Sequence, residues 1–141
     1  MTDRHDQLTA EVRVLRDRVV GVTDVVVASV DGLLITAETD DAGAVDGTDG
    51  TAAAETLAAL TAASFSIAGR VGGLTGKGRL HHVVSRFTDG CLVARPVGEM
   101  ALIGVLGDAG LDVQRLHAEA QGSVERIGCL LTAGPDQAKA D

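Results

Sequence analysis

Hydrophobic positions along this chain follow two periods, and the switches between them mark its elements. Leu8, Val12, Leu15 and Val19 recur at 4-3-4 spacing, while Arg13, Arg16, Asp17 and Arg18 take the opposite side. That spacing predicts a short amphipathic helix, with Thr9 as N-cap, Glu11 in the first turn and an end near Gly21. Residues 1–7 are polar and read as a tail. Val25 to Val30 (VVVASV) is β-branched and apolar on both faces, the pattern of a central strand. Leu33 to Ala37 is apolar again, and Asp31-Gly32 lies between the two runs. Asp-Gly there predicts a hairpin with a type I′ turn, whose two central residues need positive φ.

Periodicity stops at Glu38 to Gly50 (ETDDAGAVDGTDG), an acidic loop. Its Asp40, Asp41, Asp46 and Asp49 do not fit the ligand spacing of a calcium loop. Thr51 to Leu74 then reads as one long helix, capped by Thr51, with Glu55 in the first turn. Leu57, Leu60, Ser64, Ile67, Val71 and Leu74 share one stripe. Ala54, Ala58, Ala62 and Ala63 fill much of the remainder, and Glu55 and Arg70 are the only ionisable side chains. A helix apolar or small nearly all round is covered on more than one side. One small sheet covers a single side, so the expected second cover is another copy of the chain. The surplus surface is assigned to Ala58, Ala62, Phe65 and Ala68, beside Leu57, Leu60, Ser64, Ile67 and Val71.

Leu80 to Phe87, a turn at Asp89-Gly90 and Cys91 to Pro96 form a second predicted hairpin. Met100 to Leu106 supplies a further strand. Asp108 is a candidate cap for a last helix, Leu111 to Leu131, with Val113, Leu116, Ala120, Val124, Ile127 and Leu131 as its apolar stripe. Residues 132–141 read as a second tail, leaving a domain over 8–131. The order αββαβββα predicts an α+β fold, a five-stranded antiparallel sheet with helices on its faces. The strand Leu80 to Phe87 is a candidate edge, and His82, Val84 and Arg86 on it are candidates for pairing with a second copy.

Composition narrows the chemistry. The chain has 141 residues, net charge -8, two Phe and no Tyr or Trp. Such a chain repels nucleic-acid backbones and has no stacking platform for bases. Neither a leader peptide nor an uninterrupted apolar run of about 20 residues is visible, so a cytoplasmic protein without membrane insertion is expected. Cys91 and Cys129 sit in apolar contexts and read as buried small hydrophobes. The run Gly72-Gly73-Leu74-Thr75-Gly76-Lys77-Gly78 evokes a phosphate loop. It has the wrong glycine spacing, no Ser or Thr after Lys77, and a helix where a strand is required before it. His81 and His82 would point to opposite faces of a strand and cannot share a metal alone. No nucleophile-elbow context surrounds Ser29. Neither catalysis nor a cofactor is expected.

The element order, the Ser29-Val30-Asp31-Gly32-Leu33 hairpin, the small-residue-rich second helix and the late strand Leu102-Ile103-Gly104-Val105-Leu106 together resemble the Roadblock/LC7 family, over about Leu8 to Leu131. The composition is most similar to its actinobacterial members, encoded beside a sensor-kinase-like protein and a Ras-like GTPase, and to a bacterial polarity regulator acting on such a GTPase. The resemblance implies a profilin-like sandwich and a homodimer formed through the second helix and third strand. It also implies a non-catalytic platform for a Ras-like small GTPase, with a sensor-kinase-like protein as a further or alternative partner. A small-molecule-sensing role is a third alternative. The acidic loop at 38–50 departs from the family pattern.

Overall fold

The computed structural model describes residues 3–39 and 50–132. Helix α1 spans Arg4–Arg18, earlier than its apolar stripe predicts. Asp3 is the reason: its Oδ1 accepts from the Asp6 amide at 2.8 Å and caps the first turn. Residues 4–7, expected as tail, are therefore helix. Thr9, expected as the cap, instead shares a 2.8 Å hydrogen bond with Thr36 of the sheet.

Strands β1 (Val22–Ser29) and β2 (Leu34–Glu38) precede helix α2 (Gly50–Leu74). Then come β3 (Val83–Phe87), β4 (Gly90–Val97), β5 (Ala101–Asp108) and α3 (Val113–Thr132). The acidic carboxylates at 40, 41, 46 and 49 and the tail from 133 lie outside the described residues. The strands form one antiparallel sheet, ordered β2-β1-β5-β4-β3. This confirms the predicted fold class and puts β3 at an edge.

Side chains alternate across the sheet. Val25, Val27, Val93, Ile103 and Val105 join Leu8, Val12, Leu15, Leu116 and Ile127 in one core beneath α1 and α3. Val26, Ala28, Leu92, Ala94 and Leu102 are buried too but outside that core, on the opposite face. There α2 lies across all five strands. It rests on Ala54, Ala58, Thr61 and Ala62. A Cβ at Gly104 would sit 2.6 Å from Thr61 Oγ1 and 3.1 Å from Val26 Cγ2, so the missing side chain sets how closely helix and sheet approach.

Three turn predictions shift. In the first hairpin the Gly32 amide donates to the Ser29 carbonyl, at 2.9 Å. The turn centre is therefore Val30-Asp31, and Gly32, at φ 91°, takes the left-handed position after it. In the second hairpin Phe87 pairs with Gly90, which leaves Thr88-Asp89 as the loop. Asp112, not Asp108, caps α3, its Oδ1 accepting from the Arg115 amide at 3.2 Å. The glycine run after α2 is a helix stop. Lys77 N–H donates to the Gly72 carbonyl and Gly76 N–H to that of Gly73, with Gly76 at φ 72°, a Schellman cap.

Candidate functional site

The outer side of α2 is the most unusual surface of the protomer. Leu60, Ile67, Val71 and Leu74 are 57%, 66%, 56% and 89% exposed. Their 7-4-3 spacing places them on one side of the helix. Only 17% of the most apolar stretch of α2 is buried within the protomer. Scattered exposed apolar residues are ordinary, whereas a contiguous ridge marks a contact surface.

The structure divides the residues expected at a subunit contact. Leu60, Ile67 and Val71 face outward. Leu57, Ser64, Phe65 and Ala68 are half-buried at the flanks. Ala58 and Ala62, at 0% and 5% exposure, face the sheet and are unavailable to a partner. The reason is steric. Small side chains let the helix sit low over Gly104, so the inward stripe is the alanine one and the large stripe faces out. On β3, Arg86 is exposed, and Val84 packs against the α1/α3 core. His82 precedes the strand, which begins at Val83. Asp31 is exposed at its hairpin tip, while Gly32 lies against Ala59 and Ala62 of α2.

The expectation of no membrane-length apolar segment needs correction. Ala52–Leu74 is long and apolar enough to cross a bilayer by length and composition. Its Ala, Gly, Ser and Thr residues hide this from a search for continuous large hydrophobes. The helix is seated on the sheet along its alanine face. Cys129 also departs from expectation, being exposed on α3, whereas Cys91 is buried.

Beside α2, at the end of the sheet, lies a cleft of about 1060 Å³. Phe65 and Gly69 of α2, Arg95 and Pro96 of β4, Leu102 of β5, and His82 contribute to its walls. Arg95 donates to the His117 carbonyl at 3.3 Å and to Gln121 Oε1 at 3.0 Å, which ties β4 to α3. The His82 and His117 rings are in contact, their centroids 4.4 Å apart and their planes tilted by 48°. Burial pulls the His117 pKa below the usual histidine value, and His82 and Arg95 push it the same way. His117 Nε2 is buried without a hydrogen-bond partner among the described residues. Arg95 and His117 were not singled out in the sequence. They lie 22 residues apart and meet only through the fold. The local signal was the scarcity of histidine, four in the chain.

This architecture is an α+β domain with two helices on one face of an antiparallel sheet and one on the other. The chain belongs to the Roadblock/LC7 family: the model of the Roadblock/LC7 domain matches residues 8–107. Among solved structures, a Roadblock/LC7 domain from Streptomyces avermitilis is similar at 24% identity and TM-score 0.76, over 87% of this chain and 96% of that one. MglB of Myxococcus xanthus is similar at 15% identity and TM-score 0.77, covering 94% of this chain and 93% of its own. An MglB with tetrameric arrangement is similar at 13% identity and TM-score 0.77, over 92% of this chain and 91% of that one. At these identities the likeness is one of fold. Among curated protein sequences none matches significantly.

Proposed function

We propose that the protein is a non-catalytic, homodimeric regulatory scaffold that acts in the cytoplasm on a Ras-like small GTPase and modulates its GTP hydrolysis. The observation that carries this reading is the apolar ridge Leu60–Ile67–Val71–Leu74 on a helix whose other side is already packed. The edge strand β3 runs beside it and has an exposed Phe87 at its end. A stable subunit contact buries on the order of 800 Å² per partner, and the helix ridge and strand edge are the surfaces proposed to supply it. Family membership supplies the GTPase as the partner class, and the solved MglB in tetrameric arrangement is a fold relative that self-assembles.

Light scattering on the purified chain tests the assembly. The wild type is expected to be a dimer at micromolar concentration, and Ile67→Asp a folded monomer with unchanged helical circular dichroism. A wild-type monomer, or an Ile67→Asp dimer, defeats the proposed contact. Titration with a Ras-like GTPase encoded alongside, loaded with GDP or a GTP analogue, tests the partner. Binding in neither state removes the GTPase reading.

A further inference from the structure

A chain of net charge -8 gathers cations in one place. Arg79, His81, His82, Arg95 and His117 all line the cleft at the end of the sheet, and Glu99 is the one carboxylate beside them. Three of the four histidines of the sequence are there. Arg95 is half-buried, and its hydrogen bonds go to neutral acceptors, a carbonyl and an amide oxygen. Among the described residues it makes no ion pair. A guanidinium removed from water without a counter-ion is costly, and its five-donor fork is matched by an oxyanion. His117 Nε2, buried without a partner, is a second polar atom that the protomer leaves unsatisfied.

Val30, Phe65, Pro96 and Leu102 line the same cleft on the α2 side of the sheet, around the free edge of β4 from Arg95 and His117. The cleft's volume matches the roughly 300–1,000 Å³ of small-molecule sites. An added peptide strand fits poorly. The free edge of β4 beyond the last β3 pair, Val83 with Ala94, includes Pro96, which has no N–H to offer.

We propose that this cleft binds a small organic anion. Its carboxylate or phosphate sits on Arg95, His82 and His117, and its apolar body passes the free edge of β4 to lie against Pro96 and Phe65. The groups facing the His117 ring are Arg95 on β4 and His82 ahead of β3, both cationic or able to become so. A bound anion offsets them and favours the protonated ring.

The test is NMR titration of the full chain, following the imidazole signals of His82 and His117 at fixed ionic strength. The probes are phenyl phosphate, benzoate, inorganic phosphate and acetate, against chloride. Saturable shifts are expected, with each aromatic anion binding more tightly than its bare counterpart. The preferred pair identifies the phosphate or the carboxylate as the better fit. Bound anion is expected to raise the His117 titration midpoint. Arg95→Gln is expected to weaken binding at least about tenfold, or about 1.4 kcal/mol. Arg95 also ties β4 to α3, so the exposed His82→Gln serves as a second variant and is expected to weaken binding without loss of fold. Shifts that follow ionic strength alone, equal binding of aromatic and bare anions, or wild-type affinity in His82→Gln would overturn the site. Neither variant alters Leu60, Ile67, Val71 or Leu74, and light scattering on both variants separates loss of the anion site from loss of the dimer.

Discussion

The two faces of the sheet are built from opposite materials. Under α1 and α3 the core is closed by large side chains, with Leu15, Leu116, Ile103 and Ile127 fully buried. Under α2 the buried side chains of the helix are three alanines and a threonine, set over Gly104. Large interlocking residues bury most of the apolar stripe of α1 and α3. Small ones bring α2 close to the sheet and leave its leucine, isoleucine and valine residues facing out. One face holds the fold together, and the other presents a surface while still sealing the sheet.

Truncation on the first face should break this contrast most severely. Leu116→Ala, in a site where nothing collapses easily, is expected to cost about 2–5 kcal/mol in urea unfolding. On the second face the sensitivity is to enlargement. Gly104→Ala places a methyl group against Thr61 and Val26 and is expected to cost about 1–3 kcal/mol. It should also lift α2, read as faster amide exchange along the helix. The smallest effect sharpens the comparison and has the reverse sign. Thr61 Oγ1 is buried without a hydrogen-bond partner among the described residues. Thr61→Val removes that unsatisfied oxygen at nearly constant volume and is expected to stabilise by about 1 kcal/mol in the same unfolding measurement. A loss of stability would mean that the hydroxyl has a partner.

Most of the fold was legible because its signals are local. The 4-3-4 stripe of α1, the β-branched run of β1 and the two Asp-Gly hairpins each identify their element correctly, with ends displaced by a few residues. The orientation of α2 was not legible. Periodicity is dominated by large residues, and a stripe of Leu57, Leu60, Ile67 and Val71 looks like a core stripe whichever way it faces. What turns it outward is the smallness of its counterpart on another element, Gly104, and no window along the chain contains both. Thus Leu60, Ile67 and Val71 are open to a partner, whereas Ala58 and Ala62 are buried against the sheet. The cleft was hidden for a related reason. His81 and His82 stand out as a pair in the sequence, but His82 has its ring partner in His117, on a helix that follows three strands.

The glycine-rich stop at the end of α2 has a consequence for how this stretch can drift. The exit from the helix is held by main-chain hydrogen bonds to the Gly72 and Gly73 carbonyls and by two left-handed residues, Gly76 and Gly78. Gly72 is also fixed, because a Cβ there would collide with the Gly78 carbonyl. No side chain takes part in those bonds, and the Thr75 hydroxyl adds one to the Val71 carbonyl, at 2.7 Å. The identity of Lys77 is therefore free to change while β3 keeps its register, and the residue that most evokes a nucleotide-binding signature is among the most replaceable in the protein.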